Sequence, residues 1–508
     1  MTGLERLTGR IRVEPSELWR EEVLVPQFEA EVETLFESYI LIEKALLVEC
    51  RRLGLLEDGL VQKIAALLDD IRPESLVADG QANMADIAFA IEARVRGRLG
   101  PDAPAWHVDR SRNDYQACAQ VMFGRDQILG VADATLGLVD LMLRVAGEYV
   151  ETPMPGYTHF QPAQVISPGF YLSALTDEFL HVARRLATSY GELDHCPLGA
   201  GAMAGQELPW DRSALAALLG FSTPRRNALT SVASRSWVLG AAGDLALLGV
   251  ALSRFATDLM TWGSGPYGFL DLPDELCGIS SAMPQKRNFP ILERIRGRTA
   301  HLVTFHLDLA SGQRGTPFTN MVEVSKEAGT YFRVLTASAV SVLRLTSAVV
   351  QGMRLKTEVM AEACTGEFLG GFSLANALTT SEGIDWRDGQ VLAGRYISAA
   401  LRAGLRPAEP DPDLFGRIAR ESGHELADPG ALLASAFDLG TAMSRKATAG
   451  STAPDEVRSM LAAQGAECAG LRADWSSRRR HLTSARAELA ERLGPGSLPP
   501  PVPKDTAP

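Results

Sequence analysis

Proline spacing constrains this chain more than any other feature. No proline occurs between Pro104 and Pro153, between Pro224 and Pro266, or between Pro317 and Pro407. A proline inside a helix removes a hydrogen bond and clashes with the preceding turn, so gaps this long suit long helices. Strand-and-turn architectures need breaks more often, and β runs bounded by turn signals are scarce. The pattern predicts an all-α chain.

Two of the proline-free stretches are also poor in charge. Residues 236–263 carry only Asp244, Arg254 and Asp258, and residues 328–353 carry only Arg333 and Arg344. In the second, Phe332, Leu335, Ala339, Val342 and Val349 follow a heptad-like spacing, while Val334, Leu343 and Leu345 cover other faces. A helix apolar on most sides must be buried on most sides. Several in succession point to a bundle that also packs against neighbouring subunits, with a self-contained helical domain as the alternative. The expected organisation has three helical parts and a tail. Residues 1–105 form a charged N-terminal domain and 106–353 a central long-helix bundle. Residues 354–493 form a C-terminal domain interrupted by a Pro-rich loop at 407–413, and 494–508 a disordered Pro-rich tail.

A net charge of −12 argues against a nucleic-acid partner but leaves room for a basic pocket that takes an anionic substrate. The six cysteines form no C-x-x-C pair, which reads as reduced thiols and not as a disulfide frame or zinc site. No apolar h-region follows Met1, and no apolar run suggests a membrane span. A soluble, cytoplasmic protein is expected.

Residues 278–290 read Gly-Ile-Ser-Ser-Ala-Met-Pro-Gln-Lys-Arg-Asn-Phe-Pro. Pro284 and Pro290 exclude a helix interior, and Ser280, Ser281, Lys286 and Asn288 share a small space. A hydroxyl, an ammonium and a carboxamide on one loop suit removal of a proton from carbon beside a carboxylate. The hydroxyl takes the proton once its anion is stabilised, and the cation and amide hold the charge that develops.

The stretch Ser280–Asn288 resembles the signature loop of the fumarase/aspartase superfamily, and Met-Pro-Gln-Lys within it leans towards argininosuccinate lyases. Residues 110–114 (Arg-Ser-Arg-Asn-Asp), 156–164 (Gly-Tyr-Thr-His-Phe-Gln-Pro-Ala-Gln), 196–202 and 450–454 are similar to further segments of that family, in the same order. The resemblance implies a helical subunit in a homotetramer, with each active site shared between subunits. It also implies β-elimination of fumarate from an N-substituted aspartate or succinate.

By the same resemblance Ser280 is the catalytic base, supported by Lys286. Thr158 and His159 act on the leaving nitrogen or anchor the substrate, with Glu293 orienting the histidine. Ser111, Arg112, Asn113, Gln164 and Asn288 match substrate-binding positions, and the forked guanidinium of Arg112 suits a carboxylate. Lys326 matches a lysine that contacts the rest of the substrate. His107 is left undecided. No cofactor and no metal are implied, since no phosphate loop, dinucleotide fingerprint or ligand cluster appears.

Six positions depart from the family pattern. Ile279 replaces the glycine before the serine pair, and Val108-Asp109 replaces Thr-Gly before Arg110. Phe318 and Glu323 stand where a tyrosine and a glutamine are expected, and Ala88 stands where a histidine is expected. A lost hydroxyl changes which substrate group is matched in the site. Three readings follow. The chain acts on argininosuccinate, or it is a related lyase of a specialised pathway with another nitrogen leaving group, or it is a catalytically silent structural homologue.

Overall fold

The structure, a computed structural model, describes residue 10 and residues 13–494. The expected tail therefore lies outside the described residues from 495 onward. The all-α expectation holds: among the described residues helices dominate, and the strands form only two-stranded pairs.

Among the described residues, nine of the longer helices carry the architecture. They are α1 (Val25–Arg52), α2 (Ile87–Leu99), α3 (Arg112–Glu148), α4 (Pro168–Glu192), α5 (Ser236–Trp262), α6 (Pro290–Gln313), α7 (Ala328–Gly352), α8 (Trp386–Arg402) and α9 (Pro454–Leu493). The central bundle is built from α3 to α7, with α5 packed along α6, and α3 along α4 and α7. Helix starts are written locally. Ser111 caps α3 by accepting the Asn113 N–H, Asp86 caps α2, and Ser167 followed by Pro168 opens α4.

The heptad-like residues of α7 fulfil the sequence pattern, since Phe332, Leu335, Ala339, Val342 and Val349 are all buried. Each large one contributes roughly 1.5–3 kcal/mol relative to an exposed position. Close approach of α3 to α4 depends on Gly169, where a Cβ would stand 2.6 Å from the Ala146 carbonyl oxygen. By length and composition, α5 and the stretch Glu323–Gly352 could cross a membrane. That differs from the sequence expectation, because the few charges in each are dispersed. In the fold both are helices of the bundle.

The main apolar core runs from α1 through α7 and includes Trp475 and Leu489 of α9, which returns to pack on α3 and α4. A second, smaller core lies within residues 374–436 around Tyr396 and Phe415. Not all apolar surface is covered in one chain. Leu247 and Val250 of α5, Val303 and Leu307 of α6, and Tyr331 and Val334 of α7 are exposed.

Bundle geometry sorts the loops into two ends. At the first end lie the start of α3, the start of α5, where Arg235 donates to Gln120 at 2.9 Å, and the segment before α7. There Lys326 reaches Glu31 of α1 at 2.5 Å. At the second end lie the end of α3, the end of α5 (where Trp262 stacks near Tyr171 of α4) and the start of α6. With 37 residues at about 1.5 Å each, α3 holds the two ends about 55 Å apart.

Candidate active site

Ser280 stands at the second end, directly after β3 in the loop of a short hairpin of β3 (Gly278–Ile279) and β4 (Arg287–Asn288). Its Oγ accepts the main-chain N–H groups of Met283 at 3.1 Å and Ala282 at 3.4 Å. Two N–H dipoles aimed at a hydroxyl oxygen favour negative charge on it. Lys286 and the loop tip are exposed, and Asn288 donates weakly to the Ile279 carbonyl at 3.5 Å. The loop base is held by Arg287, which pairs with Asp271 and, at 2.8 Å, with Asp274. Ile279 occupies an extended strand position that any side chain tolerates, and it is 93% exposed.

Thr158 and His159 lie on a hairpin at the same end, formed by β1 (Met154–Thr158) and β2 (Gln161–Ile166). Thr158 pairs with Gln161, so His159 and Phe160 make a two-residue turn, with φ of 55° and 58°. Two consecutive left-handed residues are usual for glycine or asparagine and cost about 1–2 kcal/mol each for other side chains. That strain presents His159 to solvent. Glu293 is exposed in the first turn of α6. Among the described residues, the side chains of Thr158, His159, Lys286 and Glu293 make no hydrogen bond or ion pair. Gln164, on β2, lines a cavity of about 450 Å³ together with Glu367, Asp438 and Lys446.

The remaining candidates gather at the first end. Asn113 donates to the Ala202 carbonyl at 3.0 Å. Arg112 pairs with Asp86 at 2.8 Å and lies over the Phe89 ring. Phe318 is exposed on the loop before a π-helical turn, Glu323–Glu327, which carries Glu323 outward and Lys326 inward. Such turns often mark functional positions. Ala88, at the place of the expected histidine, is buried in α2. The structure thus brings Ser111, Arg112, Asn113, Glu323 and Lys326 to one end and Ser280, Lys286, Asn288, Glu293, Thr158 and His159 to the other.

Several contributors were given no role from the sequence. Asp109 adopts φ 58° at the position of the family glycine, a conformation that aspartate tolerates. Its carboxylate accepts the Leu208 N–H at 2.9 Å and the Trp210 indole N–H at 3.0 Å. Despite partial burial, these bonds hold its pKa below the usual carboxylate value. His107, undecided from sequence, sits in a buried ion cluster. Its Nε2 is 2.9 Å from Glu43 and its Nδ1 is 3.2 Å from Glu92, while Arg110 reaches Glu43 at 2.6 Å. Burial alone would raise the Glu43 carboxyl, but His107 and Arg110 overcome it and hold the pKa at about 2. This cluster fixes the segment that leads into Ser111–Asn113. Asp114, next along α3, accepts the Gly199 and Gly201 N–H groups at 2.9 Å each, and burial pushes its carboxyl up to about 7.

Comparison with known proteins places the chain in a family. The sequence model of a lyase family matches residues 47–303. Argininosuccinate lyase from Halorhodospira halophila is 30% identical over 431 residues, covering 84% of this chain and 88% of that one. The Aquifex aeolicus argininosuccinate lyase is 29% identical over 438 residues, covering 86% and 91%. The crystal structure of EDDS lyase in complex with formate superimposes with a TM-score of 0.83 at 23% identity, covering 96% of this chain and 97% of that chain. The class II fumarase from Schistosoma mansoni does so with a TM-score of 0.66 at 17% identity, covering 87% and 95%. The chain belongs to this lyase family, as an argininosuccinate lyase-like member of the fumarase/aspartase superfamily.

Proposed function

We propose that this carbon–nitrogen lyase releases fumarate by β-elimination from an N-substituted aspartate or succinate, argininosuccinate or a close analogue. Ser280 takes the proton from the carbon beside a carboxylate, and a nitrogen leaves the neighbouring carbon. The difficult species is the dianionic carboxylate formed in between, so donors must be preorganised towards it. Arg112, Asn113, Lys286 and Asn288 supply them, with Ser111 fixing the start of α3. His159, beside Thr158 and oriented by Glu293, protonates or anchors the departing nitrogen. Gln164, Phe318, Glu323 and Lys326 face the rest of the substrate.

One observation carries this reading: the Ser280 hydroxyl already receives two main-chain N–H groups. A serine alkoxide is otherwise far too unstable to serve as a base, and Lys286 with water exclusion supplies the remainder. The two groups of residues lie at opposite ends of one bundle, so each site combines several copies of the chain. The uncovered apolar residues of α5, α6 and α7 are the surface on which those copies pack, and a homotetramer is the proposed assembly. The cytoplasm is its proposed location.

The test is fumarate absorbance on incubation with argininosuccinate, alongside Ser280→Ala. The variant is expected to fold normally and to lose about 10²–10⁴ in rate, the range for removal of a general base. Unchanged activity in the variant removes Ser280 as the base. A different nitrogen leaving group is the second reading, favoured by Phe318 and Glu323 at the far side of the site. Efficient turnover of argininosuccinate would retire that second reading.

A further inference from the structure

We propose that Arg235 and Trp237 form a carboxylate-binding subsite, which anchors an acid group at the far end of the nitrogen leaving group. This rests on the lyase reading above, in which Lys326 faces that part of the substrate.

Burying a charge is costly unless it is paired, and buried donors are normally bonded. Arg235, immediately before α5, departs from both rules. It is buried, and among the described residues no acidic side chain pairs with it. Its Nε donates to Gln120 at 2.9 Å, and its Nη1 donates to the carbonyl oxygens of Val232 and Ser234, each at 3.0 Å. Among the described residues nothing accepts from Nη2. Burial and the neighbouring Arg225 draw the guanidinium pKa down to about 10, so it keeps its charge at neutral pH. Trp237, in the first turn of α5, repeats the anomaly, since its indole Nε1 is also buried without an acceptor.

Both side chains line one cavity of about 110 Å³ at the first end of the bundle, together with Glu31, Gln120 and Lys326. A guanidinium is a planar fork in which one Nη2 hydrogen points the same way as the Nε hydrogen. Because Nε faces Gln120, the unused edge of Arg235 is turned to the same side. The other charges of the lining are spent on one another. Lys326 is 2.5 Å from Glu31, which also accepts from Gln116 at 3.1 Å, and Arg333 pairs with Glu33 at 3.1 Å. What is left is one uncompensated positive charge and two donors without an acceptor. A carboxylate answers both, with one negative charge and two acceptor oxygens. A carboxamide of the same shape brings no charge, and an ammonium would add a cation and no acceptor. The cavity has the room of roughly three or four waters, enough for a carboxylate and a little of its chain, so only the end of a substrate enters. Gln120 lies about two turns, roughly 12 Å, along α3 from Arg112. A succinyl group held at Arg112 can therefore send a chain of several bonds to Arg235.

Two matched pairs of nitrogen nucleophiles test this in the reverse direction, with fumarate consumed. Arginine is set against argininamide, and 6-aminohexanoate against 6-aminohexanamide, so that each pair differs only in carboxylate or carboxamide. Rates are read from fumarate absorbance, and affinities by calorimetry on the full chain in the presence of fumarate. The carboxylate member of at least one pair is expected to bind about tenfold or more tightly than its partner, as for a hydrogen-bonded charge. Trp237→Phe, which removes the indole N–H and keeps an aromatic ring, should cut that ratio several-fold. Gln120→Glu, which gives Arg235 an acid of its own, and Arg235→Gln should each bring the ratio close to one. A purely structural role would lower Tm in these variants and leave the ratio unmoved. Equal binding within both pairs, preference for the carboxamide, binding of no member, or a ratio unmoved in the folded variants overturns the proposal. If no variant folds, a crystal structure with arginine and fumarate decides. The ligand carboxylate within hydrogen-bond distance of Arg235 and Trp237 upholds the subsite, and an acid from a neighbouring subunit or any other occupant there overturns it. Absence of fumarate chemistry with every nucleophile instead refutes the lyase reading, while calorimetry still decides the role of Arg235.

Discussion

Two inactive variants of this chain should restore each other when mixed. Arg112 stands at the start of α3 and Ser280 follows the end of α5, at the opposite end of the bundle. With 37 residues in α3 and 27 in α5, at about 1.5 Å per residue, the two lie roughly 40 Å or more apart within one chain. No small substrate spans that distance. If both residues act on one substrate, Arg112 of one subunit must meet Ser280 of another. Arg112→Ala and Ser280→Ala each then disable every site in a homo-oligomer. When the two are co-refolded in equal amounts, half of the contributed Arg112 positions are intact, and so are half of the Ser280 positions. Random assembly into a closed symmetric oligomer therefore restores about one quarter of parental activity. The assay is fumarate release after co-refolding, with mixed oligomers verified by a tag on one variant. Mixed oligomers that stay inactive would refute the argument, as would full activity in cleanly dissociated monomers.

Three further outcomes follow from single positions. Glu43 titrates at about 2 in the fold against 4.5 ordinarily, so its contribution is present above pH 4.5 and is lost as pH falls towards 2. That difference corresponds to about 3 kcal/mol, and Glu43→Gln should flatten the pH dependence of the urea midpoint over this window. Gly169→Ala places a methyl 2.6 Å from the Ala146 carbonyl oxygen and should destabilise by about 1–3 kcal/mol, read as a lowered denaturant midpoint. Phe160→Gly should relieve about 1–2 kcal/mol of left-handed strain and raise Tm, while reducing fumarate release because the His159 turn loosens; a rise in both would show that the strain serves no function.

The helical class and the buried stripe of α7 were readable because both rest on local rules, proline exclusion and heptad spacing. The caps at Ser111 and Asp86 are local as well. The Glu31–Lys326 pair was not readable, since 295 residues separate its members and Glu31 sits among the charges of an unremarkable amphipathic helix. Asp109 looked like the loss of a glycine. Only the fold shows an aspartate that keeps the left-handed backbone and uses its carboxylate to bind the 207–210 segment. The return of α9 onto α3 and α4 also left no mark, because helix α9 is mostly polar and makes its contact through a few residues such as Trp475. Long-range pairing and compensated substitutions are what one sequence conceals.

The site loop illustrates the division between what one chain provides and what the proposed assembly must add. Two N–H donors lean on the Ser280 oxygen in the isolated subunit, yet Lys286 is exposed and solvent reaches the whole tip. In water those donors count for little, because bulk solvent offers a hydroxyl equally good partners. Their effect on a developing alkoxide grows only when the loop is covered. Ile279 supplies a reason for it to become covered. An isoleucine 93% exposed beside the reactive serine gains about 1.5–3 kcal/mol on burial, where the family glycine would gain nothing. The same residue fits the extended β3 backbone without strain, so the substitution costs no flexibility that the paired strand would have used. If Ser280 is the base, as proposed, an apolar contact to Ile279 would favour closure and couple water exclusion to activation of the serine.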